Sequence, residues 1–404
     1  MSLRLEIRGH GPSALALKSM LMRFGWQGPI SLEESASQNL TEPGRRLKRS
    51  LALSAGSLQL IKACTGSLPA GADIRHVEVQ VGTGISGGRS PLAPCPIGTG
   101  LVMSHEDLGL ERLGSVVTWD DLVAHLHAKP DQHAPAMREQ SAAINAHAMW
   151  SIRVWADGDP GDDAIEVDAG QSAIVGRLQV QGAPSAWALE RFLPDGPLAL
   201  LPDAQPQSMQ LVWCASHALA ELRFQALRQP RSHHGVERLL RELNMALPAG
   251  VRALAFGEPL QCIRLKRRAR ANMVYVDARR REAEIWIGNA AQTLHPVAGQ
   301  GMNLAMRDAA ELARCMVEVQ ARLTSVQTGS SSVLVHALQR FERQRQRDRW
   351  LMLQITDQLA GQSTRLWFQL LAPHALALAR HRLLKRLIAR LFALGLRDPW
   401  PILG

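Results

Sequence analysis

The turn between residues 9 and 14 constrains this chain more than any other stretch. Leu3–Arg8 alternates apolar and charged side chains, the period of a strand. Gly9-His10-Gly11-Pro12-Ser13-Ala14 follows. Leu15–Phe24 then runs free of Gly and Pro, rich in Leu, Met and Ala, which predicts a helix ended by Gly25. Ile30-Ser31-Leu32 predicts a second strand closing on Glu33. The spacing Gly9-x-Gly11-x-x-Ala14 meets the needs of a dinucleotide pyrophosphate: a tight turn at Gly9, close backbone approach at Gly11, and a small residue at Ala14 where helix and strand pack. The free N–H groups and dipole of the helix start favour an anion. Glu33 is placed to accept hydrogen bonds from a ribose. A chance glycine turn in an ordinary β–α unit shows the same local pattern, with His10 as an exposed filler.

A second glycine-punctuated turn lies far along the chain. Ile285-Trp286-Ile287 predicts a short buried strand, and Gly288-Asn289-Ala290-Ala291-Gln292-Thr293-Leu294-His295-Pro296-Val297-Ala298-Gly299-Gln300-Gly301-Met302-Asn303 leads from it into a long helix, Asn303–Arg322. Gly288, Gly299, Gly301 and Pro296 fix the loop, and the helix start again offers positive partial charge. A ring system that becomes negative on reduction is well served there.

This second turn resembles the flavin motif of the FAD-dependent aromatic hydroxylases with the p-hydroxybenzoate hydroxylase fold, and within them the ubiquinone-biosynthesis branch. Arg49-Ser-Leu-Ala-Leu-Ser54, Leu113-Gly114-Ser115-Val116-Val117, Gln171–Val175 and the segment Glu190–Pro202 resemble further motifs of that branch in the same order. The resemblance implies an α/β fold: a Rossmann-type FAD-binding domain (1–72, 101–163 and 277–330), an inserted mixed β-sheet substrate domain (73–100 and 164–276) and a helical C-terminal region (331–404). It implies that Gly9, Gly11, Ala14 and Glu33 hold the ADP half of FAD, that Arg49 approaches the flavin, and that Asp157, Gly288 and Asn289 lie near the ribityl–pyrophosphate. Pro296 would lie beside the flavin ring, and Gly299, Gly301, Met302 and Asn303 would meet its pyrimidine edge with backbone groups. The implied activity is hydroxylation of a prenylated phenol with O2 through a flavin C4a-hydroperoxide, with NAD(P)H as reductant. His295 is the histidine nearest the ring turn, either catalytic with Pro296 beside it or a loop histidine bonded to backbone.

The sequence departs from the wider family at Asp157-Gly158, where the motif Asp-Gly-x-x-Ser-x-x-Arg is expected and Gly161 and Ala164 replace its Ser and Arg. That departure motivates the alternative of a low-activity flavoprotein serving as a structural partner in a ubiquinone-biosynthesis assembly.

The net charge of +10 over 404 residues suits an anionic partner. A basic nucleic-acid binder is disfavoured by the glycine turns, and the skew to ten Trp against seven Phe and one Tyr does not suit a Tyr and Phe platform for stacking bases. The run Arg264–Arg270 is read as a charged strand or loop face. Cys64, Cys95, Cys214, Cys262 and Cys315 include no CxxC pair, as expected of reduced thiols. No apolar run reaches about 18–20 residues and Met1–Arg8 is no signal peptide, so a cytoplasmic protein is expected. Residues 377–397 are amphipathic at helical spacing. Their basic face is either solvated, a partner contact, or a peripheral contact with the inner face of a membrane.

Overall fold

Leu3, Leu5 and Ile7 are all buried, because they share the strand face that packs into the main core, whereas Arg4, Glu6 and Arg8 line the opposite face, Arg4 exposed and the other two partly buried. The computed structural model describes residues 2–33, 50–81, 100–128, 149–158, 161–228, 233–296, 299–325, 331–362 and 374–395. The first segments are β1 (Ser2–Arg8), α1 (Pro12–Arg23), β2 (Ile30–Glu33), β3 (Ser50–Ser54), α2 (Ala55–Thr65), β4 (Ala72–Ile74), β5 (His76–Val81), β6 (Leu101–Ser104), β7 (Gly114–Thr118) and α3 (Trp119–Ala128). The middle of the chain supplies β8 (Met149–Trp155), β9 (Ala164–Gln181), β10 (Trp187–Leu193), β11 (Gly196–Pro202), β12 (Ser208–Ser216), α4 (His217–Arg228), α5 (His233–Ala246) and β13 (Arg252–Arg270). The rest is β14 (Val274–Asp277), β15 (Glu282–Trp286), β16 (Gln292–Thr293), α6 (Gln300–Ser325), α7 (Ser331–Gln362) and α8 (Arg382–Leu394).

The first sheet runs β14-β15-β8-β1-β2, parallel except for β14. Ala14, Leu17, Met20 and Leu21 of α1 and Met306, Ala310 and Ala313 of α6 share one core with Leu5, Ile7, Trp150, Ile152 and Val154 of the sheet. Ala14 is fully buried there, where a larger side chain would hold α1 off the strands. The second sheet has eight strands, β16-β13-β9-β12-β11-β10-β5-β6, and is antiparallel except where β10 meets β5. Leu239, Leu243 and Leu247 cover it around Trp187 and Trp213. A small sheet, β3-β7-β4, takes β3 from just before α2 and β4 and β7 from between α2 and α3.

Several expected boundaries move. Ser50–Cys64 reads as one helix, yet its first five residues form β3, paired with β7, and Ser54 ends the strand by capping α2 through its hydroxyl. Leu101–Ser104 belongs to the eight-stranded sheet through pairing with β5, and Val274–Asp277 belongs to the first sheet through pairing with β15. Both are set by partners distant in sequence, which local pattern does not report.

Candidate functional site

Sheet register gathers the candidate residues at one edge. Arg8 pairs with Glu33 and with Trp155, and Trp155 pairs with Trp286. The carboxyl ends of β1, β2, β8 and β15 therefore line up, and the segments that leave them begin at Gly9, after Glu33, at Asp157 and at Gly288. In open α/β sheets this edge is where ligands bind.

Asp157 occupies the centre of the first turn. Its carboxylate accepts from the backbone N–H of Gly11 and of His10. A Cβ at Gly11 would lie 2.8 Å from both carboxylate oxygens, so only glycine admits this approach. Burial raises the Asp157 pKa, and the two N–H donors oppose that rise. Gly9 N–H donates to the Glu33 carbonyl at 2.9 Å, while the Glu33 carboxylate pairs with Arg8 at 2.8 Å and stays 40% exposed. The first turn of α1 holds no acidic residue and no side-chain cap, so its N–H groups are suited to an anion. His10 Nδ1 is buried with no hydrogen-bond partner among the described residues, so the turn carries an unmatched polar atom.

The second turn packs directly on the first. Gly288 has φ +55°, and a Cβ there would meet Ser13 Oγ at 2.8 Å and Ala305 Cβ at 3.1 Å. Asn289 donates its amide to the Gly158 carbonyl at 3.0 Å, tying this turn to Asp157-Gly158. Behind it lies a buried ionic network that sequence inspection missed. Asp308 accepts from Gly288 N at 3.2 Å, Gln292 Nε2 at 3.1 Å and Arg345 Nε at 2.7 Å. Asp348 accepts from Arg345 at 2.8 Å and from Arg307 at 3.0 Å. Burial opposes the Arg345 charge, but Asp308 and Asp348 outweigh it and raise its pKa. The available signal was a carboxylate set among Leu304, Ala305, Ala309 and Leu312 on an apolar helix stripe.

At the start of α6 the side chains and backbone divide their tasks. Asn303 Oδ1 accepts from Ser54 N at 2.7 Å and Ser57 Oγ at 2.8 Å, while its Nδ2 donates to the carbonyls of Ala52 at 3.0 Å and Gly299 at 2.9 Å. All four hydrogen-bonding positions of this amide are used in locking α6 onto β3 and α2. Met302 packs against the main core. Gly301 is exposed, with nothing within 4 Å of where a Cβ would be. Pro296 is exposed, and its carbonyl accepts from Gly299 N at 2.9 Å. A cavity of about 90 Å³ adjoins this helix start, lined by Ala52, Ser54, Gln300 and Asn303 and by Ala389 and Phe392 of α8.

His295 is 4% exposed, and burial lowers its pKa to about 4, so it is neutral near pH 7. An unfolded histidine titrates near 6.5, so between that value and about 4 the unfolded chain binds the extra proton. His295 thus contributes stability that is full above about pH 6.5 and is lost as pH falls, by up to about 3 kcal/mol. His295→Gln is expected to flatten this slope in urea midpoints compared between about pH 7 and about pH 4.5. An unchanged slope would show that another group carries it.

Arg49 lies outside the described residues. Arg191 is buried and donates to the Ala246 carbonyl at 2.8 Å, a structural task. Trp213 is buried in the sheet core under the Arg223 guanidinium, 4.2 Å from the ring centre. The basic run is the end of β13, where Arg264 pairs with Asp168, Lys266 and Arg268 with Glu166, and Arg270 with Asp163. Three carboxylates thus pair four of the five cations of the run. Arg268 also donates to the Gly161 carbonyl at 3.3 Å, so β13 brings cationic side chains to the turn whose own motif arginine is missing.

Residues 240–328 match the family described as FAD binding domain. A solved structure of PqsL from Pseudomonas aeruginosa, titled a probable FAD-dependent monooxygenase, superposes with a TM-score of 0.62 at 17% identity, over 93% of this chain and 100% of that one. The chain has the fold of the FAD-dependent aromatic hydroxylases. By sequence, this hydroxylase-fold chain is 36% identical over 211 residues to the ubiquinone hydroxylase UbiL of Rhodospirillum rubrum, covering 52% of the chain and 43% of the relative. It is 28% identical over 182 residues to the 3-demethoxyubiquinol 3-hydroxylase of Escherichia coli, covering 45% and 41%. The matched stretch spans less than half the length of either relative.

Proposed function

We propose that this chain is an FAD-dependent monooxygenase that hydroxylates the aromatic ring of a prenylated phenol in ubiquinone biosynthesis. The observation that carries the reading is the packing of Gly288 on Ser13, which joins the second glycine turn to the anion-ready first turn at one sheet edge, backed by the matched FAD-binding family. In this reading the first turn of α1 holds the pyrophosphate, Glu33 the ribose, and the α6 start the pyrimidine edge of the flavin. Bound FAD supplies the redox chemistry, accepting hydride from NAD(P)H and activating O2. The chain supplies orientation and water exclusion, with neutral His295 as the candidate proton acceptor and Pro296 as a wall beside the ring. The 1–72, 101–163 and 277–330 segments would form the cofactor-binding unit, 73–100 and 164–276 the substrate unit, and 331–404 a helical unit, with Leu101–Ser104 reaching across to the second sheet and Val274–Asp277 to the first. Similarity to the ubiquinone hydroxylase and the 3-demethoxyubiquinol 3-hydroxylase supports turnover over the purely structural alternative. Ubiquinone-biosynthesis proteins are the proposed partners. No helix among the described residues is long and apolar enough to cross a membrane, and peripheral contact is the proposed mode of reaching a prenylated substrate.

The test is purified protein with flavin absorbance, phenol-stimulated NAD(P)H oxidation and O2 uptake. Flavin without turnover would favour the structural role, and a deletion strain with an unchanged quinone precursor pool would remove the pathway. Gly301→Glu gives a sharper check. The added side chain enters open space, and an acid in the first helical turn favours the helix by about 0.3–1 kcal/mol. FAD affinity is expected to fall about tenfold from like-charge repulsion while the flavin-free protein melts no lower. Unaltered affinity would place the ring away from α6.

A further inference from the structure

The last described helix has two working faces. The sequence suggests one leucine face opposite one basic face, but the structure divides the leucines. Leu384, Ile388 and Leu394, with buried Ala389 and Ala393, pack against Leu101, Met103 and Leu113. Leu383 and Leu387 point outward, 67% and 65% exposed, and Leu378 just before the helix is 68% exposed. Arg382, Arg386 and Arg390 are exposed among them. Lys385 turns inward instead and pairs with Asp107 at 2.7 Å, which fixes the helix on the protein.

We infer that α8 lies flat in the headgroup layer of an anionic membrane, seated by Leu378, Leu383 and Leu387 and held by the flanking arginines. Charge selects the occupant. Residues 374–395 contain no Asp or Glu, and carry Arg380, Arg382, Lys385, Arg386 and Arg390. A second copy of the same face would meet it with like charge, and exposed leucines between the arginines do not suit a phosphate backbone. Leucine seated in the acyl boundary beside arginine at anionic headgroups is what an interfacial helix requires. The inner side of α8 gives this placement a consequence, since Ala389, Phe392 and Ala393 wall the cavity at the α6 start. One helix then separates the lipid surface from the cavity, the route a prenylated phenol would take. That consequence rests on the proposed function, whereas the membrane contact itself does not.

The experiment is co-sedimentation of the full chain with vesicles of phosphatidylcholine alone or mixed with phosphatidylglycerol. Binding is expected only to the mixed vesicles and to weaken with salt. Arg382→Gln with Arg386→Gln should weaken it about 30-fold, at roughly fivefold per arginine. Leu383→Glu with Leu387→Glu should abolish it while circular dichroism and flavin content stay as in the parent. The inference is overturned if the parent fails to bind, binds both vesicles equally, or keeps its binding in the leucine variant. It is also overturned if that variant instead dissolves a dimer. Flavin content and turnover are measured separately, so vesicle binding without flavin would sink the proposed function and leave this surface standing.

Discussion

Gly11→Val is expected to give a folded protein that has lost its flavin. The built Cβ already sits 2.8 Å from both Asp157 oxygens, and the valine methyls reach further. Asp157 must then leave the N–H groups of Gly11 and His10, and overpacking of this kind costs about 1–3 kcal/mol of stability. The larger loss is in binding. In the proposed reading the same methyls would block the approach of a pyrophosphate to the backbone and distort the turn that aims the α1 N–H groups. FAD affinity should drop at least about 100-fold, equivalent to about 3 kcal/mol. Visible absorbance per protein and a urea midpoint read the two effects apart. Gly11→Ala should fall between parent and valine. A valine variant with full flavin content would place the pyrophosphate elsewhere.

Asp308→Ala is expected to destabilise the fold by about 3–5 kcal/mol, because it leaves the Arg345 charge buried with one partner fewer. The same change removes the acceptor for Gly288 N and for Gln292, so the turn that packs on Ser13 loses its support. Flavin content should therefore fall together with the urea midpoint. The double variant Asp308→Leu with Arg345→Met removes both charges and should recover much of the stability while the Gly288 turn stays unsupported. A single variant as stable as the parent would show that the network does not hold this region together.

The two turns were legible in the sequence because their chemistry is local. Gly9, Gly11 and Ala14 announce a close approach whatever lies around them, and Gly288 announces a left-handed backbone. What approaches Gly11 was not legible in detail, since Asp157 reaches it from another strand through sheet register. Asn303 was assigned to the ligand by its backbone, and its side chain proves to be a four-way tie between β3, α2 and α6. β3 was hidden because Ser50–Ser54 satisfies helical and strand patterns alike until its partner β7 is known. The two faces of α8 were likewise undetermined, because the rotation of a helix is set by what it packs on. Asp308 and Arg345 are 37 residues apart and carry no joint signal until α6 and α7 lie side by side.

The parallel pairing of β5 with β10 also bears on how the chain is made. His76 pairs on one side with Ser104 but on the other only with Trp187, so during synthesis from the N-terminus one edge of β5 stays open until over a hundred further residues have emerged. The nucleotide-fold strand β1 likewise waits for Met149–Trp155 before its second side closes. Neither sheet can be completed by an early fragment, so nascent chains stalled before residue 187 should be the species that most need a chaperone.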